Sequence, residues 1–422
     1  MRTPVIGDGF EGLEDRLLLA GNVLSALNAG VLVLTGDAQA NEVQLTVAAN
    51  GQLTARGLSG TTINGVTSVN FGVVNTLTVD GGAGADKISL NSPSATIAND
   101  VTINGGADND TISIAGRFGA DLIIDGGLGL DTISVSKSTV GVDIDLDSGD
   151  GNDKVTLSGT TVGRDVLIQS GIDNDSVTLD GMTVKRDLSL ADAGGNNSLR
   201  LNNTSSRGDT LIVLDDGNDS VVVNGLTAGV KAGVVATGLI SIDLGDGINV
   251  LTMSRSKALG SAVGDGIILT GGLGDDSLGI LDTQSAGTIL IDSGDGANKI
   301  EMTRVQISGV GALDITTGLG ADYVKIDQVI VGGRGTVDTG LEDDILLLTS
   351  SRFTGVFSAA MGDGNDTTFM ASNFFARAIS GASGGLGVDS LTLGANSPNN
   401  NMINTLFEST RNIPSARTAV RV

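Results

Sequence analysis

A short glycine-rich turn returns along almost the whole chain. Its form is Gly-Gly-x-Gly-x-Asp followed by alternating apolar residues, with copies such as GGAGADKISL at 81–90 and GGLGLDTISV at 126–135. Aligned at the sixth turn position, successive copies lie about 22 residues apart. Repeats of this length are typical of stacked coils, because one unit cannot bury its apolar face alone. The sixth position holds, in order, Asp86, Asp110, Asp131, Asp153, Asp175, Asn197, Asp219, Asn249, Asp276, Asn298, Asp322, Asp344, Asp366 and Asp389.

Apolar residues alternate with polar ones on both sides of each turn. Ile88 and Leu90 follow the turn at Asp86, and Leu77 and Val79 precede it. Strand side chains point alternately to opposite sides, so these residues face one interior. The pattern predicts an all-β fold, a single-stranded right-handed parallel β-helix (β-solenoid) of about 15 coils. The handedness follows from the general preference for right-handed parallel crossovers.

A third, shorter run between the other two predicts three short strands per coil. Stacked at about 4.8 Å, some fifteen coils would form a rod about 70 Å long. We expect the β-helix to occupy 31–394. Residues 1–30 would be an N-terminal export or sorting segment or a cap, and 395–422 a C-terminal cap and loose tail. Upstream, Asn41 matches the sixth turn position, and its distance from Asp86 predicts one degenerate coil between them.

The composition excludes several classes of function. The chain has no Cys and no His, which removes disulfides, thiol chemistry and histidine acid–base catalysis. A formal net charge of −25 opposes binding to nucleic acid or anionic membranes, and it favours solubility or cation binding. No apolar run reaches the roughly 20 residues that a membrane-spanning helix needs.

The repeated turn resembles the calcium-binding nonapeptide of RTX proteins, Gly-Gly-x-Gly-x-Asp-x-apolar-x. The resemblance implies calcium bound between stacked turns, by backbone carbonyls of the glycine turn and by Asp carboxylates. RTX motifs follow one another about every nine residues, whereas this chain carries one motif per coil. The ligands that the resemblance implies are Asp86, Asp110, Asp131, Asp153, Asp175, Asp219, Asp276, Asp322, Asp344, Asp366 and Asp389.

Electrostatics favours a cation independently of the resemblance. Carboxylates stacked at about 4.8 Å repel by about 1 kcal/mol in water and by about 3 to 4 kcal/mol at an effective dielectric constant of 20. Calcium between the coils would relieve that repulsion. Alternatively, Asp, Asn and Gly recur because they tolerate left-handed backbone and bond within their own turn. The sequence alone leaves both interpretations open.

A second acidic column recurs at another corner of the coil and lacks the glycine turn. We expect it to cap that corner rather than to bind metal. It also accounts for the integrin-like tripeptide Arg207-Gly208-Asp209, because the aspartate is one of its members. The column is Asp100, Asp121, Asp143, Asp165, Asp187 and Asp209.

The segment FEGLEDRLLLAGNV, from Phe10 to Val23, is acidic where a Sec signal peptide is basic. Through Glu14, Arg16, Leu18 and Leu19 it resembles the LEPR-XLL-type N-terminal segment of large exported bacterial proteins. The resemblance implies an exported or cell-surface location. An amphipathic cap on the first coil, with the leucines buried, is the alternative.

Two insertions in adjacent coils depart from the repeat, and such departures are candidate functional surfaces. They cover 225–236 and 254–264 and would bring Lys231, Arg255 and Lys257 together on an acidic rod. We treat them as a candidate binding site, with neutral loop decoration as the alternative.

Phenylalanines concentrate near the C-terminal end. We expect them to pack within the chain as a cap rather than to dock another subunit. They are Phe353, Phe357, Phe369, Phe374 and Phe375.

These observations favour a non-enzymatic exported or cell-surface protein, a structural or adhesive β-solenoid that calcium would order. Its expected partners are calcium ions, other surface proteins or extracellular polysaccharide, and self-association is compatible with its shape. The alternative is a polysaccharide lyase or glycoside hydrolase of the parallel β-helix type. Sugar grooves normally carry exposed aromatic rings, and this chain has one Tyr and no Trp. The acids outside the repeat form no recognisable catalytic pattern: Asp145, Asp282, Asp292 and Asp327.

Overall fold

The protein is one stack of parallel coils about 22 residues apart, as predicted. The structure, a computed structural model, describes residues 21–229, 238–260, 266–377, 381–394, 404–405 and 409–412. Each regular coil has three strands in a fixed order, here called A, B and C, and the glycine turn connects strand C to strand A of the next coil. Three short strands per coil were predicted, and this is confirmed.

Strand A follows the glycine turn, and its first two full-length copies continue into strand B. The A strands are Glu42–Val47, Lys87–Ile97, Thr111–Phe118, Thr132–Ser136, Lys154–Ser158, Ser176–Asp180, Ser198–Asn202, Ser220–Asn224, Val250–Ser254, Ser277–Leu281, Lys299–Thr303, Tyr323–Asp327, Ile345–Thr349, Thr367–Ala371, Ser390–Leu393 and Ser409–Asn412.

Strand B is only two residues long where it is separate. The B strands are Thr139–Val140, Thr161–Val162, Thr183–Val184, Ser205–Ser206, Thr227–Ala228, Lys257–Ala258, Gln284–Ser285, Gln306–Ile307, Ile330–Val331, Arg352–Phe353 and Phe374–Phe375.

Strand C leads into the glycine turn. The C strands are Val31–Thr35, Thr76–Asp80, Val101–Ala107, Leu122–Leu128, Ile144–Asp147, Val166–Gln169, Leu188–Ala191, Thr210–Val213, Ile240–Asp243, Gly266–Thr270, Thr288–Asp292, Leu313–Thr316, Gly335–Asp338, Phe357–Ala360, Gly381–Ser383 and Asn404–Thr405.

Equivalent residues of successive coils lie side by side, so the interior consists of columns of like side chains. Val155 pairs with Val177, and Val166 with Leu188, in parallel register. Their side chains point inward and are buried, as the alternation predicts. Burying each Val, Leu or Ile contributes about 1.5 to 3 kcal/mol, so the stability of the stack grows with the number of coils.

The N-terminal end departs from the prediction. No degenerate coil separates Asn41 from Asp86, because strand Glu42–Val47 pairs directly and in parallel with Lys87–Ile97. The residues between form antiparallel strands: Gln52–Leu58 pairs with Glu42–Val47 and with Ser68–Val73. The prediction was wrong because Ala-Ala-Asn-Gly before Gln52 is the connection of a β-hairpin, a signal outside the 22-residue pattern.

Two further strands lie at the same end. Asn22–Asn28 pairs antiparallel with Val31–Thr35 and parallel with Thr62–Ile63. The segment that resembles an export signal lies outside the described residues, apart from its last three positions. Among the described residues there is no helix long and apolar enough to cross a membrane.

Three of the five C-terminal phenylalanines fill the interior of the stack. Phe353, Phe357 and Phe375 are buried, with ring centroids 4.7 to 5.7 Å apart. Space for them comes from Gly335, where the preceding coil carries Leu313. Packing within the chain is therefore confirmed for these three, in the core rather than as a cap. Outside the core, the Arg352 guanidinium lies 4.6 Å from the centroid of the Phe374 ring.

Replacing Gly335 with Ala should destabilise the protein by about 2 kcal/mol or more. A Cβ there would lie 2.5 Å from Phe353 Cε1 and 2.9 Å from Phe357 Cδ2, and overpacking of a core typically costs 1 to 3 kcal/mol. Gly279→Ala is the control, because the nearest atom to its Cβ is 3.7 Å away. Thermal unfolding of both variants measures the difference, and equal midpoints would contradict this account of Gly335.

Replacing Thr368 with Val should stabilise the protein by about 1 kcal/mol. Thr368 is the one polar residue among the inward positions after the turn; it is fully buried, and its hydroxyl has no hydrogen-bond partner. Thr210→Val is the control and should destabilise, because Thr210 Oγ1 is hydrogen-bonded to Ser206 Oγ at 2.9 Å. Urea unfolding distinguishes the two, and a loss of stability in Thr368→Val would refute the prediction.

Candidate functional site

The sixth-position residues of the turns form one buried column along the stack, here called the ladder. Every member is at most 6% exposed, although most are aspartates. All the residues that the resemblance implies as calcium ligands lie in it, and so does Asn41. Sequence reasoning placed these side chains in a column, and the structure adds that they are buried.

One oxygen of each ladder side chain after Asn41 links two coils. The Asp86 backbone N–H donates to Asp110 Oδ1 at 2.7 Å, and the Asp110 N–H donates to Asp131 Oδ1 at 2.7 Å. The pattern continues without a break from Asn41 to Asp389 at 2.5 to 3.0 Å, through Asp and Asn alike. The ladder therefore satisfies backbone donors at the turn, where the strand pairing is interrupted.

The other aspartate oxygen, Oδ2, is buried beside its own turn. A Cβ on Gly105 would lie 2.6 Å from Asp110 Oδ2, and one on Gly126 would lie 2.7 Å from Asp131 Oδ2. This contact favours glycine at the first turn position. Oδ2 has no hydrogen-bond partner at Asp86, Asp110, Asp131, Asp153, Asp175, Asp219, Asp276, Asp322, Asp344 and Asp366.

Some turns have a hydroxyl residue at the first position, and that hydroxyl is engaged elsewhere. Ser148 lies near Asp153, yet its Oγ donates to the Ser170 carbonyl at 2.9 Å. Thr339 Oγ1 likewise donates to the Met361 carbonyl at 3.0 Å. The same hydroxyls lie close enough to the carboxyls of Asp153 and Asp344 to lower their pKa, although each donates its proton to a carbonyl of the next coil.

The asparagine members show which group fits beside the turn carbonyls. Asn298 Nδ2 donates to the carbonyls of Gly294 and Gly296 at 2.9 and 3.1 Å. Asn249 Nδ2 donates to the Gly245 carbonyl at 3.2 Å. The carbonyls belong to the second and fourth positions of the same turn. Because Asp and Asn share the Oδ1 bond, Oδ2 of each aspartate takes the place of this Nδ2.

Burial makes most of the ladder aspartates weaker acids than an ordinary aspartate. Desolvation raises the pKa of Asp110, Asp153 and Asp344 to about 7 and that of Asp175 to about 8, while the backbone N–H bond opposes the shift. Carboxylates of the neighbouring coils raise these pKa values further. Desolvation also raises to about 6 the pKa of Asp86, Asp219, Asp276, Asp322 and Asp366.

The oxygen set of one turn is too small to hold calcium, so two stacked turns would have to share the ion. Calcium takes six to eight oxygens at about 2.3 to 2.6 Å. A turn offers one free carboxylate oxygen and the carbonyls of its second and fourth positions, since Oδ1 already accepts an N–H. No group of three or more acidic side chains that could share a metal occurs among the described residues.

The second acidic column caps its corner, as predicted. The Asp143 N–H donates to Asp121 Oδ1 at 3.0 Å, so each carboxylate accepts the N–H of the following coil. The Leu239 N–H donates to Asp209 Oδ1 at 3.0 Å, which gives the Arg-Gly-Asp aspartate the same role. Arg164 forms an ion pair with Asp143 on the surface.

A third column was missed by the sequence analysis. Asparagines at the fifth turn position are exposed and accept the N–H of the next coil: Asn196 N–H donates to Asn174 Oδ1 at 2.8 Å, and Asn218 N–H to Asn196 Oδ1 at 2.9 Å. The recurrence of Asn directly before the ladder residue was the available signal. This column and the ladder connect the coils in opposite chain directions.

The acids outside the repeat and the basic residues of the insertions do not form a common site among the described residues. Asp282 pairs with Arg304 at 2.6 Å, and Asp327 accepts from Thr349 Oγ1 at 2.8 Å. Of the insertions, 230–237 and 261–265 lie outside the described residues, and with them Lys231. Arg255 donates from Nε to Asn224 Oδ1 at 2.9 Å.

Two open depressions of about 270 Å³ lie in the described part of the stack. One is lined by Asp147, Gln169 and Asp192, and the other by Glu42, Gln44 and Lys87. Neither contains the four acids outside the repeat.

Compared with known proteins, the chain matches no family model, no curated protein and no solved structure.

Replacing Asp131 with Ala should destabilise the protein by about 2 to 3 kcal/mol. The change leaves the buried Asp110 N–H without an acceptor, and such a loss typically costs 1 to 3 kcal/mol in addition to the cavity. Asp121→Ala removes a carboxyl group at the partly exposed corner and should cost less. Urea midpoints at pH 5 make the comparison, and an equal loss in both variants would argue against a special role for the ladder.

Proposed function

We propose that this chain is a non-enzymatic structural rod, an exported or cell-surface β-solenoid that holds or separates other components. The observation that carries the proposal is the unbroken ladder from Asn41 to Asp389. The ladder aspartates accept hydrogen bonds that connect one coil to the next, and the aspartates of the second acidic column do the same at their corner. Acidic side chains that are used in this way support a scaffold rather than a reaction centre.

The exported location rests on the resemblance of residues 10–23 to the LEPR-XLL-type segment. The net charge of −25 is compatible with it, since a strongly acidic rod resists nonspecific association. Adhesion to surface proteins or to extracellular polysaccharide belongs to the same proposal. The outward faces of the strands are the described surfaces available for it, and the two insertions stay candidate binding sites.

Small-angle X-ray scattering tests the structural part of the proposal. Fourteen steps between fifteen ladder residues, at about 4.8 Å each, predict a rod of about 70 Å with a constant cross-section. Incubation with a panel of acidic and neutral polysaccharides should leave their chain length unchanged. A compact particle, or cleavage that Asp145→Asn abolishes, would overturn the proposal.

Calcium ordering, which the RTX resemblance supplies, is the alternative account of how the ladder is neutralised. The buried Oδ2 atoms support it, because each ionised carboxylate would need a counter-charge; the small oxygen set of each turn weighs against it. If calcium orders the rod, the thermal midpoint should rise by several degrees between excess EDTA and millimolar calcium. Identical midpoints would remove calcium from the proposal and leave the rod intact.

A further inference from the structure

We infer that the buried ladder aspartates from Asp86 to Asp366 are neutral carboxylic acids, each closing its own turn by donating a hydrogen bond from Oδ2 to a turn carbonyl. The inference rests on the proposed structural role and deepens it, because it makes the stability of the rod depend on pH. The ligand of the site is a proton rather than a divalent cation.

The asparagines provide the geometric argument. At Asn249 and Asn298 the ladder side chain keeps the same Oδ1 bond and turns a donor toward the turn carbonyls, at 2.9 to 3.2 Å. A protonated aspartate is nearly isosteric with asparagine and presents a donor in the same place. An ionised one would present only an acceptor to other acceptors. The same turn conformation therefore accommodates Asn and Asp alike only if the aspartate carries a proton.

Asn197 gives a second, independent argument. Its turn is the one with Asp at the first position, and Asn197 Nδ2 donates to Asp192 Oδ2 at 2.6 Å. Asp192 also accepts from Ser170 Oγ at 2.8 Å and from the Gly194 N–H at 3.0 Å. Asp192 is thus a carboxylate that already accepts other hydrogen bonds, and the ladder residue beside it, Asn197, is an amide that can donate to it. In this turn too, the second polar atom of the ladder side chain is a hydrogen-bond donor, as it is in Asn249 and Asn298.

No Lys or Arg among the described residues is a charge that acts on the shifted ladder carboxyls. The titratable groups that act on Asp110 are Asp86, Asp108 and Asp131, and all raise its pKa. Those that act on Asp175 are Asp153, Asp173 and Asp192. For the remaining shifted ladder members the groups are Asp37, Asp108, Asp125, Asp147, Asp192, Asp275, Asp343, Asp363 and ladder neighbours.

The order of residues along the ladder fits a column that tolerates little charge. From Asp175 to Asp322 the members alternate strictly between Asp and Asn. Within that stretch Asp219 and Asp276 have amides on both sides and a pKa of about 6, whereas Asp175, at its end beside Asp153, has a pKa of about 8. Uninterrupted aspartates flank the stretch, and there the pKa reaches about 7 at Asp110, where both neighbours are carboxylates.

The sign of the pH dependence follows from the raised pKa values. In the unfolded chain an aspartate titrates near 3.9, whereas in the folded chain the pKa is about 6 for Asp86 and about 8 for Asp175. The folded state therefore binds more protons between these values, so its stability falls as the pH rises through them. The contribution is fully present below about pH 4 and is lost as the pH passes about 8.

The test is thermal unfolding of the full chain in excess EDTA at pH 5 and pH 8.5, for the wild type and Asp110→Asn. We expect the wild-type midpoint to be several degrees lower at pH 8.5, and Asp110→Asn to raise it there more than at pH 5. Asp145→Asn, which removes an exposed charge, is the control for general charge repulsion and should shift both midpoints equally.

Two results would overturn the inference. One is a wild-type midpoint that is unchanged or higher at pH 8.5 in EDTA. The other is saturable calcium binding by calorimetry at pH 7 that Asp110→Asn weakens at least tenfold. Scattering from the same samples at pH 5 separates this outcome from failure of the rod proposal, because rod shape does not depend on which ligand neutralises the ladder.

Discussion

The fold depends on one hydrogen bond repeated at every glycine turn, from a backbone N–H to the side-chain oxygen of the equivalent residue in the next coil. Strand pairing satisfies the backbone along strands A, B and C, but a tight turn breaks that pairing, and a buried N–H without a partner is costly. The ladder supplies the missing acceptor. It therefore requires an Asp or Asn at one position per coil, and it restricts the coil length to values that keep this position in register.

The glycines of the turn follow from the same constraint. Successive turns stack so closely that a Cβ on Gly127, whose φ is +100°, would lie 2.0 Å from the Gly106 carbonyl oxygen. Both the left-handed backbone and the close approach exclude other side chains there. The carbonyls brought close by this stacking are also the acceptors that face the ladder. The glycine-rich turns, which suggest flexibility in the sequence, thus form a tightly packed edge of the stack.

The repeat predicted the coil, its three strands and the inward residues, because register and side-chain alternation are properties of the sequence alone. The hairpin between Asn41 and Asp86 was missed because its signal is local and has no periodicity. Burial of the ladder could not be predicted either: an aspartate after a glycine turn is compatible with an exposed metal ligand and with a buried hydrogen-bonding acid. The choice depends on where the second carboxylate oxygen points, and only the structure provides this. The asparagines at 197, 249 and 298 were the clue in the sequence, since an amide replaces a neutral acid better than it replaces an ionised ligand.

The central claim, that ladder aspartates are uncharged when the exposed ones are ionised, can be measured directly. Infrared spectra recorded in EDTA between pH 3 and pH 9 separate carboxylic acid from carboxylate. Exposed aspartates titrate near pH 4. The account predicts a second loss of the carboxylic acid band between about pH 6 and pH 8, smaller in Asp110→Asn. Complete loss of the band below pH 5 would contradict it and would restore a bound cation as the agent that neutralises the ladder.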